Sequence, residues 1–219
     1  MEKQQVILEV WGDFACFTRP EAKVERLSYP VPTPSAMRGV LSAIYSKPVE
    51  FYWQITRIEV LNPIKFISFK RNEVKKKTDG KKSILVEEER TQRLSVVLQD
   101  VRYRVYASIV RREECRHSLE QLYQQAFRRI QNGKCFFQPS LGCREFVAYY
   151  EESTQERQPI NHTQDIGFML YDVFDLNKIE PLNKSKPYIT VFHAKLENGV
   201  LEVPEFGSDA VLKPGGGYA

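Results

Sequence analysis

The hydrophobic pattern of this chain predicts an α+β fold, and three observations carry the prediction. Two segments, near residues 34–47 and 116–132, place apolar residues three and four apart, the period of a helix with one buried face. The segments around them are rich in β-branched and aromatic residues that alternate with polar ones, the period of a strand. Two dipeptides, Asp79-Gly80 and Asn198-Gly199, have the residue types that tight hairpin turns demand. With 219 residues, 42% of them hydrophobic, the chain can bury a sizeable core as one large domain or two small ones.

Taken in order, Val6–Trp11 reads as a first strand that ends at Gly12-Asp13. Thr33-Pro34 then starts a helix, with Thr as the cap that accepts a backbone N–H and Pro at the first helical position. Met37, Val40, Leu41 and Ile44 form its apolar face, and Pro48 ends it. Glu50–Leu61 reads as a long strand whose alternation changes phase near Thr56-Arg57, the mark of a bulge. Residues 64–98 read as an inserted basic β-hairpin, with strands Ile64–Val74 and Ser83–Glu89 on either side of Thr78-Asp79-Gly80. Ser95–Val110 is the next strand. Val97, Val101, Tyr103, Val105, Ala107 and Ile109 share one face; Arg102, Arg104 and Tyr106 share the other, which either touches RNA or is the wet side of an antiparallel sheet.

A second helix runs from about Arg116 to Asn132 on the stripe Leu119, Leu122, Tyr123, Ala126, Phe127 and Ile130, closed by Asn132-Gly133. Gly142–Tyr150 reads as a fourth strand. The order strand, helix, strand, strand, helix, strand is the ferredoxin-like arrangement of RNA-recognition-motif folds, assigned to residues 1–150. After a polar loop over 151–165, a strand at Gly167–Phe174 and a hairpin of Tyr188–Leu196 with Val200–Pro204 form a small C-terminal antiparallel β domain, residues 151–219. Its tail from Lys213 reads as flexible.

The formal charge of +4 is unevenly spread. Residues 1–150 carry 26 Lys and Arg against 17 Asp and Glu, a net +9, whereas residues 151–219 carry 6 against 11, a net −5. The segment 65–82 alone holds eight cations and two anions. Such asymmetry points to an anionic partner for the first part, and solvation of a charged loop is the bland reading of the same run. The first residues do not resemble a secretory signal, and no run approaches the roughly 18 apolar residues of a membrane span, so the chain reads as cytoplasmic with no membrane partner. Cys16, Cys115, Cys135 and Cys143 include no C-x-x-C pair and lack structural-zinc spacing with His117. They read as free thiols, with neither a metal nor another cofactor expected.

Chemistry concentrates in two strings, Ala43-Ile-Tyr-Ser-Lys-Pro48 and Cys115-Arg-His117. Of three histidines, His193 reads as a strand residue and His162 as a solvated loop residue. His117 falls at the head of the second helix, where unpaired amides attract phosphate, beside Arg116, Arg111 and Arg112. An imidazole can give or take a proton near neutrality. When an RNA 2′-hydroxyl attacks the adjacent phosphorus, one group must take its proton, another must protonate the departing 5′-oxygen, and a cation must stabilise the phosphorane. His117, Tyr45 and Arg116 form one set for these tasks, with acid and base left open between the phenol and the imidazole. Arg19, Lys23, Arg26, Arg38 and Lys47 flank the first helix and are candidate RNA contacts. The hairpin tip, with Lys75, Lys76, Lys77, Lys81 and Lys82, would grip phosphates with little sequence information.

The strings Val6-Ile-Leu-Glu-Val-Trp-Gly-Asp-Phe-Ala-Cys-Phe-Thr-Arg-Pro20, Leu27-Ser-Tyr-Pro-Val-Pro-Thr-Pro-Ser35, Ala43–Pro48, Arg116-His117 and Leu141-Gly-Cys-Arg-Glu145 together resemble the CRISPR-associated Cas-five family of subtype I-C. The resemblance covers nearly the whole chain and is densest in the first 50 residues. It implies a metal-independent endoribonuclease that cuts the repeat hairpin of precursor CRISPR RNA and stays on the 5′ handle of the guide. Its partners would be the Cas-seven backbone and Cas-eight large subunits of the interference complex, with DNA also within reach there. The family's catalytic set is Tyr, Lys and His; Tyr45 and His117 match it, while Arg116 stands at the lysine position and keeps the charge but is a far poorer proton donor. The alternative is a non-catalytic RNA-binding subunit that caps the handle.

Overall fold

A computed structural model describes residues 5–22, 25–76, 80, 83–179 and 187–214. Its elements are β1 (Val6–Ala15), β2 (Arg26–Leu27), α1 (Pro34–Ile44), β3 (Phe51–Val60), β4 (Phe66–Val74), the single turn α2 (Val86–Glu89), β5 (Arg90–Arg111), α3 (Leu119–Gln131), β6 (Tyr149–Glu152), β7 (Gln164–Asp172), β8 (Thr190–Glu197), β9 (Val200–Glu202) and β10 (Val211–Leu212). The fold is mixed α and β around one large sheet of order β10-β8-β9-β3-β5-β1-β6. Its pairings are antiparallel apart from the short parallel contact of β2 with β5. Strand β9 pairs with the edge of β3 through Arg57↔Glu202 and Glu59↔Val200, so the C-terminal strands extend the same sheet.

Local chemistry explains the elements that place the site. In α1, Thr33 Oγ1 accepts the Ala36 N–H at 3.2 Å, and Pro34 takes the first helical position. Met37, Val40, Leu41 and Ile44 are buried, each stabilising the fold by about 1.5–3 kcal/mol. The bulge of β3 appears as a register shift between Ile55 and Arg57. Leu122, Tyr123, Ala126 and Ile130 bury the inner face of α3, and the Tyr123 hydroxyl accepts the Ile109 N–H at 2.8 Å, which fixes α3 against β5. Asn198 and Gly199 both have positive φ, 49° and 78°, as a two-residue β8–β9 hairpin requires.

Several expectations need correction. Helix α1 stops at Ile44, and Tyr45 caps it in an extended conformation, so Pro48 does not end the helix. Pro48 instead opens the turn Lys47–Glu50, which is closed by the Glu50 N–H donating to Lys47 O at 2.8 Å. Ser83–Glu89 is not a strand, because Val86–Glu89 coils into α2, where the acidic run suits a helix N-terminus. Strand β4 pairs instead with Arg90–Leu98, the front half of the 22-residue β5. Helix α3 starts at Leu119, behind a capping box of Ser118 and Gln121, so Arg116 and His117 precede it and Leu119 stays 41% exposed. Gly142–Tyr150 is mostly loop; only Tyr149–Glu152 pairs with β1. Gly142 has φ 84° and lies so close to Cys16 that a Cβ there would stand 2.0 Å from its carbonyl oxygen.

The Arg102–Arg104–Tyr106 face is not simply the wet side of the sheet. Arg104 is 3% exposed. Its guanidinium donates to Glu59 at 2.7 Å, Glu9 at 3.2 Å, Ser153 Oγ at 2.8 Å and Arg157 O at 2.8 Å. Arg102 donates to Glu9 and Glu151 and lies 4.4 Å above the Trp11 ring. The segment after β6 therefore folds across this face, and the buried guanidinium keeps its donors paired.

Candidate active site

The end of α1 and the approach to α3 meet at one cleft of about 550 Å³, lined by Tyr45, Lys47, His117, Gln121, Gln124, Gln125, Arg128, Arg129 and Phe136. A helix C-terminus leaves carbonyls without partners, and here three of them are bonded from outside the helix. Phe136 N–H donates to Ala43 O at 2.7 Å, Arg129 Nε to Ile44 O at 2.6 Å and Trp53 Nε1 to Tyr45 O at 2.8 Å. These bonds tie α1 to α3, to the 135–137 loop and to β3, and they fix the Tyr45 backbone. The Tyr45 ring packs against Phe51 at 5.3 Å. Burial, followed by the Glu50 charge, pushes its phenol above the ordinary tyrosine value, so it stays protonated at physiological pH.

The turn Lys47–Glu50 brings a cation and a carboxylate to one side. Lys47 Nζ donates to Glu50 Oε1 at 2.9 Å. Glu50 Oε2 receives a hydrogen bond from His117 Nδ1, and Lys47 Nζ lies 3.3 Å from both ring nitrogens of His117. Two further bonds hold the partners, Arg112 N–H to Glu50 O at 2.8 Å and Cys115 Sγ to His117 O at 3.3 Å. The hydrogen bond from Lys47, then that from His117, holds the Glu50 carboxyl down to about 2, so it is ionised across the working pH range. A carboxylate on Nδ1 leaves Nε2 as the ring's acceptor, with the Lys47 ammonium 3.3 Å away, the arrangement that prepares an imidazole for proton transfer.

Of the predicted catalytic set, Tyr45 and His117 share this cleft. Arg116 does not line it; its side chain is exposed. The amine beside the imidazole belongs to Lys47, which sequence reading took for an RNA contact only. Glu50 was not singled out at all. Its one sequence signal is the spacing Lys47-Pro48-Val49-Glu50, a turn with Pro at its second position that pairs the end residues.

The other predicted RNA contacts scatter. Arg19 lies 4.8 Å above the Tyr29 ring and pairs with Glu21. Arg26 is a strut, bonded to Glu73 at 3.1 Å and Glu145 at 3.3 Å, which ties β2 to the hairpin and to the 141–145 loop. Arg38 grips Asp172 with two hydrogen bonds of 2.7 and 3.0 Å. Arg111 donates to Cys115 O, while Arg112 lies 5.3 Å above Tyr52 and faces a different cleft. Lys75 and Lys76 are exposed; Lys23, Lys77, Lys81 and Lys82 lie outside the described residues, as does the tail from residue 215. Among the described residues no group of three or more His, Cys, Asp or Glu side chains is placed to hold a metal, and no helix is long and apolar enough to cross a membrane.

Residues 5–204 match the family described as CRISPR-associated protein (Cas_Cas5). Over 213 residues, 90% of each chain, the sequence is 41% identical to the CRISPR pre-crRNA endoribonuclease Cas5d of Thermus thermophilus. It is 38% identical to the protein of the same description from Mannheimia succiniciproducens, with 95% of this chain and 99% of that one covered. A crystal structure described as a CRISPR-associated protein superposes with a TM-score of 0.66 at 23% identity, covering 96% of this chain and 97% of that one, which is a likeness of fold.

Proposed function

Because this chain belongs to the CRISPR-associated Cas5 family, we propose that it is a metal-independent endoribonuclease that cuts the repeat hairpin of precursor CRISPR RNA. We further propose that it stays on the 5′ handle of the mature guide as a subunit of a subtype I-C interference complex, beside the Cas-seven and Cas-eight subunits. The relatives at 41% and 38% identity, both described as pre-crRNA endoribonucleases, support the substrate class. One observation carries the catalytic reading: an imidazole held by a carboxylate and an ammonium 3.3 Å from it face one cleft, whose wall includes the buried, protonated Tyr45 phenol. A non-catalytic cap on the handle would have no use for this arrangement.

The chemistry follows from the groups present. His117, oriented by Glu50, accepts the proton of the attacking 2′-hydroxyl at Nε2. Lys47 leaves the ring for the phosphate as it enters, opposes the charge of the phosphorane and supplies the proton that the 5′-oxygen needs. Tyr45 donates its O–H to a phosphoryl oxygen. Acid–base help of this kind contributes about 10²–10⁴-fold, and a preorganised donor about 10²–10³-fold. In this assignment Lys47 takes the role of the family's lysine and Arg116 is a peripheral cation. Proton acceptor, proton donor and cation are thus all supplied by side chains.

We also read β1, α1, β3, β5, α3 and β6 as a ferredoxin-like unit over residues 1–150, with 64–98 as its insertion and 151–219 as a C-terminal β part. The order β3-β5-β1-β6 supports that reading. Repeat RNA incubated with the protein in excess EDTA tests the function. Wild type cuts at one position, whereas His117→Ala binds the hairpin without cutting it. Cleavage by His117→Ala at the wild-type rate would overturn the mechanism.

A further inference from the structure

A second cleft, of about 640 Å³, opens beside the catalytic one across the end of α1. Arg38, Arg112, Arg144 and Lys178 line it; Arg38 is paired with Asp172 and Lys178 with Asp175 at 3.4 Å, and the remaining cations leave a field that favours an anion. Arg144 is exposed and has no ion-pair partner among the described residues. The floor is the small-residue side of α1, where a Cβ added to Gly39 would meet nothing within 4 Å. A polymer backbone can therefore come close to the helix. At the rim stands Phe137, 63% exposed.

The dipeptide Phe136-Phe137 joins the two clefts. Phe136 lines the catalytic cleft, where the Arg129 guanidinium stacks on it at 4.1 Å, and its N–H is bonded to Ala43 O. Phe137 lines the second cleft. The floor changes over in the same place, with Ala43 facing the second cleft and Tyr45, two residues on, facing the first. A chain lying over Tyr45 and His117 thus continues into the second cleft past an exposed aromatic ring and a row of cations. That pairing of rings with cations binds single-stranded nucleic acid without reading its sequence.

We propose that this second cleft is a nucleotide subsite. It holds the unpaired RNA adjoining the scissile linkage, with a base stacked on Phe137 and a phosphate held by Arg144. The inference rests on the endoribonuclease reading above.

The test uses a repeat hairpin with a 2′-deoxy residue at the scissile position, so that it binds without being cut. It is made with and without a short unpaired extension on each side. Phe137→Ala, exposed and remote from the core, should weaken binding of an extended hairpin by roughly 5- to 150-fold and leave the bare hairpin unchanged. Phe137→Trp should restore the affinity, and Arg144→Ala should weaken the extended hairpin with a flatter salt dependence. Equal binding of the extended and bare hairpins by wild type and Phe137→Ala would overturn the subsite and leave the ring to a protein partner. Equal weakening of both hairpins would overturn it too. If wild type neither bound the hairpin nor cut its all-ribose form, the endoribonuclease reading would fall and the subsite with it.

Discussion

His117 Nδ1 donates to one oxygen of the Glu50 carboxylate, and the other oxygen lies 2.9 Å from Lys47 Nζ. One side chain thus orients the imidazole and holds the ammonium beside it. Glu50→Gln keeps the shape and loses the charge. The single-turnover cleavage rate should fall by about 10²- to 10⁴-fold, the range of acid–base help, because the imidazole loses the carboxylate that fixes its tautomer. Hairpin affinity should stay at its wild-type value. The check is quench-flow kinetics beside a filter-binding titration; an unchanged rate would remove Glu50 from the mechanism.

The same carboxyl carries a pH signature. Its value is depressed from 4.5 to about 2 by Lys47 first and His117 second. A group depressed on folding contributes stability that is present above its unfolded value and lost as the pH falls through the folded one. The melting temperature of wild type should therefore exceed that of Glu50→Gln by a constant margin above about pH 5. The margin should shrink below 4.5 and vanish near pH 2. Scanning calorimetry across this range measures it, and a margin independent of pH would contradict the ion pairing.

Lys47 and Arg116 make opposite predictions. Lys47→Met should lower the cleavage rate by about 10²-fold or more, since it removes the preorganised cation. Arg116→Met, at an exposed position outside the cleft, should cut at close to the wild-type rate. Single-turnover rates of the two variants decide between them. The reverse outcome would return the lysine's role to residue 116.

Arg104 is a structural cation. Arg104→Ala leaves Glu9 and Glu59 buried without it and should destabilise the fold by about 3–5 kcal/mol. Urea denaturation reads this directly. RNA affinity per folded molecule should not change, because the side chain is 3% exposed.

We propose that the lysines between residues 75 and 82 act through phosphates. Neutralising Lys75, Lys76, Lys77, Lys81 and Lys82 should weaken hairpin RNA binding and lower the salt slope by about one for each phosphate that is no longer neutralised. Affinities titrated across a series of salt concentrations measure the slope. An unchanged slope would mean that these lysines meet a protein neighbour or open solvent.

Much of the fold was legible because local rules set it. Thr33-Pro34 capped α1 as its residue types demand, the bulge fell between Ile55 and Arg57, and Asn198-Gly199 turned the last hairpin. Misreadings arose where a contact distant in sequence prevailed. The loop at Gly142 is extended in pattern but is held by close packing on Cys16. The alternating Arg102–Tyr106 face looked wet because the polar segment that buries it lies some 50 residues later.

By itself the sequence determined the two long helices, most of the strands around them, the family strings, and the phenol and imidazole that we propose as the reactive groups, because each depends on residue type and near-neighbour spacing. Only the tertiary structure decided which cation stands beside the imidazole. Arg116 adjoins His117 in sequence, yet its side chain is exposed and does not line the cleft. A turn starting 70 residues earlier delivers Lys47 and Glu50 instead. Coulomb attraction depends on distance through space, and the packing of α1 against α3 sets that distance.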